Sequence, residues 1–153
     1  MPTRLRETTY FTMCRTSLEY ASQIWDPKEN SQEATKVERI QRRAACFVVR
    51  DHRTTSSVTE ILRKIEWEPL ASRRKNQRLL LLHQIQHQNI NINLENTIKP
   101  GYRGRLKQQH CKTDLAKHSF VNRTTREWNS LEHKTRTAET PEQFVACLPK
   151  ACY

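Results

Sequence analysis

Apolar side chains recur at helical spacing from the start of the chain. Over residues 5–25 they fall at steps of three and four positions, which places them on one face of a helix. This stripe consists of Phe11, Cys14, Leu18, Ala21 and Trp25. Because Pro27 cannot continue a helix, the first predicted helix ends just before it.

A second helix is predicted over residues 31–50, after a sequence that can cap its first turn. Asn30 can accept a hydrogen bond from the backbone N–H three residues on, while Glu33 reaches back, as in a capping box. The pattern turns apolar residues inward and basic residues largely outward. The inward residues are Val37, Ile40, Ala44 and Phe47, and the outward residues are Lys36, Arg39, Arg42 and Arg43.

Two more helices are predicted before residue 88. Ser57 and Glu60 form a capping box for a short third helix that stops near Trp67. Pro69 suits the first turn of a fourth helix, whose segment LASRRKNQRLLLLHQIQHQN begins with basic residues and then becomes apolar. We expect the fourth helix to lie at the centre of the core. The inward residues of the two helices are Val58, Ile61, Leu62 and Ile65, then Leu79, Leu81, Leu82 and Ile85.

The helical periodicity fails over residues 89–117. The segment NININL alternates like a strand, but Pro100, Gly101 and Gly104 follow it and the rest is basic and polar, so we predict an extended basic loop. A fifth helix is predicted over residues 119–131 and a sixth from Thr140, with Pro141 in its first turn and Gln143 as its capping partner. Their inward residues are Phe120, Thr124 and Trp128, then Phe144 and Leu148.

These elements predict an all-α fold of about six helices in an irregular bundle. The chain has two glycines in 153 residues, and sheets need frequent tight turns whereas helices avoid glycine. Ile, Leu, Val and Phe together number 31, which predicts a thin core. We expect three parts: a helical bundle over residues 1–88, the extended basic loop over 89–117, and a C-terminal helical pair over 118–153.

The charge balance favours a phosphate-bearing partner. Lys and Arg total 27 against 16 acidic residues, for a net charge of +11, which attracts nucleic acids or anionic membranes. No apolar run approaches the roughly 18 residues of a membrane span, and the N-terminus lacks the apolar stretch of a signal peptide. Five cysteines at irregular spacings favour a reducing compartment. We therefore expect RNA or DNA as the partner, no membrane, and a nuclear or cytoplasmic rather than secreted protein.

Basic residues on two predicted helices and in the loop are the candidate nucleic-acid-binding site. They are Arg39, Arg42, Arg43, Arg73, Arg74, Lys75, Arg78, Arg103, Arg105 and Lys107. If they share one face, they can neutralise several phosphates. The alternative is that they are ordinary solvated helix faces. For Tyr20, Trp25, Trp67 and Trp128, positions on apolar stripes favour core packing over stacking on bases.

The sequence offers no evident catalytic site. Two-metal polymerase chemistry needs clustered aspartates holding Mg²⁺ ions about 3.5–4 Å apart, whereas Asp26, Asp51 and Asp114 fall in separate segments. No Cys or Ser has an evident His and acid partner nearby in the sequence. We expect no catalytic residue, no metal and no cofactor. The histidines and cysteines lack the paired spacing of a structural zinc site, which favours a polar helix face and unlinked thiols over a metal site. These residues are His83, His87, His110, Cys111, His118, Cys147 and Cys152.

Several separate blocks, in order along nearly the whole chain, resemble one family. They read SLEYASQIWDP, VERIQRRAACFVV, TTSSVTEIL, LASRRKNQRLLLL, CKTDLAKHSF and NRTTREWNSL. These blocks are similar to the region after the polymerase palm in reverse transcriptases of non-LTR (LINE-type) retrotransposons of the jockey and chicken-repeat kind. The family usually has prolines where Thr16, Gln23 and Glu132 stand, and Phe-Pro where Val121 and Asn122 stand.

The matching positions are spread along the chain. They are Arg15, Leu18, Glu19, Tyr20, Ala21, Ser22, Trp25, Asp26, Pro27, Gln41, Arg42, Arg43, Ala44, Arg73, Arg74, Leu79, Thr113, Asp114, Ser119, Phe120, Arg123, Thr124, Trp128, Asn129, Ser130 and Leu131. The resemblance implies a helical thumb-like bundle over residues 1–88 and a C-terminal accessory region. In the parent protein this region lies beside primer and template, downstream of the fingers and palm.

The resemblance and the charge together predict a non-catalytic C-terminal fragment of an RNA-directed DNA polymerase that retains sequence-independent affinity for RNA or DNA. Upstream reverse transcriptase domains are a further implied partner. Two alternatives stay open. One is a decayed transposon remnant with no selected activity, and the other is a helical protein-interaction module.

Overall fold

The described residues of the computed structural model are 2–51, 53, 57–92, 94 and 97–149, and they form an all-α fold. Among these residues no strand forms, and one isolated antiparallel bridge joins Pro100 to Leu106. The predicted fold class is thereby confirmed. Residues 150–153 of the predicted C-terminal helical pair, and with them Cys152, lie outside the described residues.

The helices are distributed over two compact units. The first unit contains α1 (Thr3–Thr9), a π-helical segment (Tyr10–Arg15), α2 (Thr16–Glu19), α3 (Ser22–Trp25), α4 (Gln32–Val49), α5 (Val58–Lys64) and the start of α6 (Leu70–Gln86). The second contains the rest of α6, a 3₁₀ turn (Tyr102–Gly104), α7 (Asp114–His118), α8 (Phe120–Asn129), α9 (His133–Arg136) and α10 (Pro141–Cys147). The division falls between Arg74 and Lys75, inside α6, whereas the sequence suggested a boundary near residue 88.

The first predicted helix is interrupted twice. The π-helical segment adds a wider turn, which rotates the residues after it relative to a straight α-helix. The predicted stripe is therefore buried only in part: Phe11 packs against the first core, whereas Cys14 is exposed and Tyr10, which lies outside the stripe, is buried. The chain then breaks at Ala21, whose φ is 48°. The indole N–H of Trp25 donates to the Tyr20 carbonyl oxygen at 2.6 Å and satisfies an acceptor at this break.

In helix α4, both the capping residue and the buried residues lie one position after the predicted ones. The Ser31 hydroxyl, not Asn30, accepts from the Ala34 N–H at 3.1 Å, because Asn30 adopts φ 60°. The buried residues of α4 are Gln41, Ala45 and Val48. The predicted inward residues Ile40 and Phe47 are 44% and 49% exposed. Helices α1 and α5 pack on the adjacent face, so tertiary packing rather than the apolar stripe decides which side is buried.

The core of the first unit is built around two stacked aromatic rings. The centroids of Tyr10 and Trp67 lie 4.5 Å apart with nearly parallel planes. Ile61 and Leu62 of α5 are buried against them, as predicted. The Ser57 hydroxyl accepts from the Glu60 N–H at 3.4 Å, which confirms the predicted cap of α5. The cluster consists of Tyr10, Ala45, Val48, Ile61, Leu62 and Trp67.

The core of the second unit lies between α6, α8 and α10. Trp128 and Phe144 stack with centroids 5.5 Å apart, and Thr140 caps α10 by accepting from the Gln143 N–H at 3.2 Å. These features confirm the predicted inward side of the last two helices. The cluster consists of Leu79, Leu82, Leu106, Trp128, Ala138, Phe144 and Leu148. Within the described part of the chain, no helix has the length and apolar character needed to cross a membrane.

His83 belongs to this second core. It is fully buried, its ring stacks 4.5 Å from Phe144, and its Nε2 lies 2.8 Å from the Ala138 carbonyl oxygen. Burial lowers the pKa of His83, the hydrogen bond to Ala138 opposes this shift, and nearby His87 adds to it. Its neutral form therefore donates one hydrogen bond to a carbonyl inside the core.

We predict that the free energy of unfolding falls as the pH is lowered through the ordinary histidine range. Because the folded-state pKa of His83 lies below its unfolded value of 6.5, the unfolded chain takes up this proton first and is favoured in acid. Urea denaturation between about pH 7.5 and pH 5 measures the slope. His83→Gln keeps a donor for the Ala138 carbonyl and should flatten the profile. Parallel profiles for the two proteins would contradict this prediction.

Candidate nucleic-acid interface

The ten predicted site residues separate into three groups in the structure. Arg73, Arg74 and Arg78 of α6 form ion pairs. The α4 arginine face consists of Arg39, Arg42 and Arg43, which are all exposed. The loop group, also exposed, consists of Arg103, Arg105 and Lys107. Lys75 is half-buried on α6.

Arg74 is a buried structural residue, and the prediction that it contacts phosphate was wrong. Its Nε lies 2.6 Å from Asp26 Oδ1, with the two side chains 1% and 4% exposed. A Glu38 carboxylate oxygen lies 4.0 Å from the same guanidinium group, and the ring of Trp25 lies 5.9 Å from its Cζ. Solvent, and therefore a phosphate, cannot reach the cation without breaking this arrangement.

Arg73 and Arg78 are also engaged by carboxylates. The Arg73 guanidinium pairs with Glu19, and this hydrogen bond raises the pKa of Arg73. Arg78 NH2 lies 2.7 Å from Glu127 Oε1, and both side chains are buried. Because Arg78 is buried, it does not belong to the candidate site. The Arg73 side chain stays partly exposed beside its carboxylate partner.

The α4 arginine face has the properties expected of a phosphate-binding surface. Its three side chains are exposed over about one turn of an 18-residue helix. Among the residues that the structure describes, none of the three takes part in an ion pair. Cations free of carboxylate partners can neutralise phosphates without first losing an interaction.

The loop group lines a concavity of about 860 Å³ in the second unit, which we call the basic pocket. Its lining contains several cationic side chains and, among the described residues that form it, no carboxylate. The lining residues are Gly101, Tyr102, Arg103, Arg105, Leu106, Lys107, His133 and Arg136. Such a surface concentrates positive potential where a ligand would enter.

The loop that carries the pocket is held against α8 by side chain to backbone hydrogen bonds. Asn129 Oδ1 accepts from the Leu106 N–H at 2.9 Å, and Asn129 Nδ2 donates to the Leu106 carbonyl at 2.8 Å. The Trp128 indole donates to the Gly104 carbonyl at 3.0 Å. Leu106 itself is buried in the core. The segment predicted as an extended loop is thus fixed in place around residue 106.

The close turn of this loop favours glycine at one position. The Gly101 N–H donates to the Arg105 carbonyl oxygen at 2.7 Å. A Cβ at Gly101 would lie 3.0 Å from that same oxygen, which is tighter than most real Cβ contacts, so the turn would have to widen by a few tenths of an ångström. Tyr102, Arg103 and Arg105 of this turn all line the basic pocket.

Sequence patterns did not indicate Arg136 as a site residue. It ends α9, a helix of four residues, which is too short for periodicity to detect. Arg136 is only 9% exposed, and its NH1 makes one long hydrogen bond of 3.4 Å to the Asn129 carbonyl. Its Nε is buried without a hydrogen-bond partner. This buried basic residue, which lies between two predicted helices, is thus one part of the site that the fold reveals and the sequence pattern does not.

The aromatic residues divide into two kinds. Trp67 and Trp128 are buried, which confirms the predicted core packing. That prediction was wrong for Tyr20 and Trp25, which are 79% and 41% exposed, because the break at Ala21 turns this segment outward. Tyr102, which the sequence did not single out, is 78% exposed at the edge of the basic pocket.

The described part of the chain has no cluster of side chains suited to binding a metal ion. No group of three or more His, Cys, Asp or Glu side chains there has the arrangement of a metal site. Cys14, Cys46, Cys111 and Cys147 are free thiols. The rings of His83 and His87 lie 4.3 Å apart, but His83 is committed to its core hydrogen bond.

Comparison of the chain with protein-family models, with curated proteins and with solved structures gave no match. The assignment of the candidate interface therefore rests on its geometry, on its charge and on the sequence resemblance.

We predict that Asp26→Asn destabilises the first unit by about 3–5 kcal/mol, because it leaves the Arg74 charge buried without its carboxylate. Denaturant unfolding followed by helical circular dichroism measures the loss. Glu66→Gln is the matched control, since Glu66 is exposed and its substitution removes the same charge. A loss for Asp26→Asn no larger than for Glu66→Gln would show that the Arg74–Asp26 pair is not needed for stability.

Proposed function

We propose that this chain is a non-catalytic, helical nucleic-acid-binding region of the kind that follows the palm in non-LTR retrotransposon reverse transcriptases. It holds RNA or DNA through the phosphate backbone, without reading sequence. The observation that carries the proposal is the separation of its arginines: Arg73, Arg74 and Arg78 of α6 are paired with carboxylates, whereas the α4 arginine face and the loop group are exposed. The net charge of +11 and the sequence resemblance support it.

Phosphate contacts would give both the proposed affinity and the proposed lack of sequence preference. Arginine on an exposed helix face reaches the backbone, whose charge is the same for every base. Discrimination between bases would need side chains directed at base edges in a groove. We therefore propose binding to the backbone of RNA or DNA, with upstream reverse transcriptase domains supplying any catalysis. The sequence lacks the clustered aspartates of polymerases, so we expect no nucleotide incorporation on a primer–template.

We predict that affinity for nucleic acid falls linearly on a log–log plot against salt concentration. The slope should be about −0.9 per phosphate neutralised on a duplex and about −0.7 on a single strand. Replacing Arg39, Arg42 and Arg43 together by Gln should make the slope shallower by up to these amounts per side chain. Fluorescence polarisation with a labelled RNA and a short duplex provides the measurement.

The matched control for this experiment replaces Arg4, Lys64 and Lys117 by Gln. These residues are exposed and lie outside the α4 arginine face and the basic pocket, and the control variant has the same net charge. We expect its slope to stay close to that of the unmodified protein. Equal slopes for the two triple variants would contradict binding through α4. Absence of binding even at about 50 mM salt would favour a remnant without selected activity.

A helical protein-interaction module is the second candidate, and exposed apolar residues of α4 favour it. Ile40 and Phe47 are 44% and 49% exposed, and they lie two turns apart on the helix. Such residues suit contact with another protein. If this function holds, Ile40→Glu should abolish concentration-dependent association in sedimentation experiments, while Glu66→Gln leaves it intact. A protein that stays monomeric at all concentrations would remove self-association as the use of this face.

A further inference from the structure

The basic pocket has an exposed aromatic ring beside its cations. Binding of a phosphate alone would need the cations but not the ring. Tyr102 lies on its lining and is 78% exposed. The Arg103 guanidinium carbon lies 5.1 Å from the Tyr102 ring centroid. Since most of the ring is still open to solvent, it can accept a planar partner. A tyrosine beside arginines is the arrangement on which bases of single strands stack.

Arg136 supplies a second, independent indication of a ligand. It is more than nine-tenths buried, it lines the pocket, and its Nε has no hydrogen-bond partner. A buried donor on a charged group is costly when it is left unsatisfied. The Nε itself is closed to solvent, so a phosphate oxygen would accept from this guanidinium group at the part of it that lines the pocket, and arginine presents a planar fork that matches phosphate geometry.

The remaining cations lie on the same lining. Arg105 and Lys107 are exposed and follow Tyr102 within the loop that Asn129 holds against α8. The position of Tyr102 relative to the cations is therefore maintained by the fold. The volume of about 860 Å³ lies within the range of about 300–1,000 Å³ that small-molecule sites occupy, so a nucleotide fits.

We propose that the basic pocket binds one unpaired nucleotide of a single-stranded RNA or DNA, with its base stacked on Tyr102 and its phosphate against Arg105, Lys107 and Arg136. This inference rests on the proposed function and adds a preference for single strands at one site. In a duplex, each base is paired and covered by its neighbours, so its face cannot meet a side chain unless it is unstacked. The α4 arginine face needs only phosphates, and it does not distinguish the two forms.

The test compares a labelled ten-nucleotide oligouridylate with a short, blunt-ended RNA duplex in which every base is paired. Tyr102→Ala should weaken binding of the oligouridylate about tenfold or more, the usual effect of removing one base-stacking side chain. It should leave duplex binding unchanged. Tyr20→Ala is the matched control, because Tyr20 is an equally exposed tyrosine of the other unit, and it should change neither affinity. Both substitutions affect exposed side chains, so folding is preserved.

A second variant tests the phosphate side of the pocket. Arg105→Gln should make the salt slope on the oligouridylate shallower by about 0.7, whereas Lys117→Gln, which removes one exposed charge elsewhere, should not. Uridine monophosphate should compete for the pocket, but far more weakly than unlabelled oligouridylate does, because the strand also contacts cations outside the pocket. Equal potency of the mononucleotide and the oligouridylate would overturn the assignment of the pocket to a strand in favour of a free nucleotide.

The outcomes separate this inference from the proposed function. If both nucleic acids bind but Tyr102→Ala leaves oligouridylate affinity unchanged, the pocket proposal is overturned and backbone binding through α4 stands. If Tyr102→Ala weakens binding of the oligouridylate and of the RNA duplex equally, the single-strand preference is overturned. If neither nucleic acid binds, both proposals fall together.

Discussion

The buried pair between Arg74 and Asp26 is the interaction on which the first unit depends. A guanidinium group that is 1% exposed carries a large desolvation penalty, which only a close carboxylate and further hydrogen bonds can offset. Asp26 supplies the carboxylate at 2.6 Å, Glu38 adds a second at 4.0 Å, and Trp25 lies beside the cation. The segment LEYASQIWDP therefore holds the start of α6 through two ion pairs. Asp26 pairs with Arg74, and Glu19 pairs with Arg73. An unmatched charge at any of these positions would oppose folding.

The same constraint shapes the charge on the surface. Helix α6 places arginines inside both units, where Asp26 and Glu127 neutralise them. Each buried pair takes one positive and one negative charge from the surface, so the whole net charge of +11 stays with the other charged groups. The α4 arginine face and the basic pocket carry part of this excess. Ion pairs thus occupy interior positions of α6 where other helical proteins place aliphatic contacts.

The basic pocket depends on a different kind of constraint, the fixing of a loop by a helix. Asn129 satisfies both backbone groups of Leu106, and Trp128 satisfies Gly104, so the loop has defined positions for its cations. Arg136 of α9 also lines the pocket. A flexible basic loop would lose conformational entropy when it becomes ordered on a ligand, and this loss would weaken binding. Because α8 holds this loop, most of that entropy is lost during folding and not during binding.

Local sequence determined the helices that have clear caps and a single apolar face. Ser57 before α5, Thr140 before α10, and the inward residues Leu62, Trp128 and Phe144 followed from capping chemistry and periodicity, because these signals act over one or two turns. Tertiary structure decided the rest. A π-helical turn and the break at Ala21 rotated the first stripe, neighbouring helices chose which face of α4 to bury, and carboxylates distant in sequence took Arg74 and Arg78 into the interior while leaving Arg39 and Arg105 outside. An arginine is buried or exposed according to whether folding places a carboxylate beside it. The spacing of residues along the chain does not predict which carboxylate that will be.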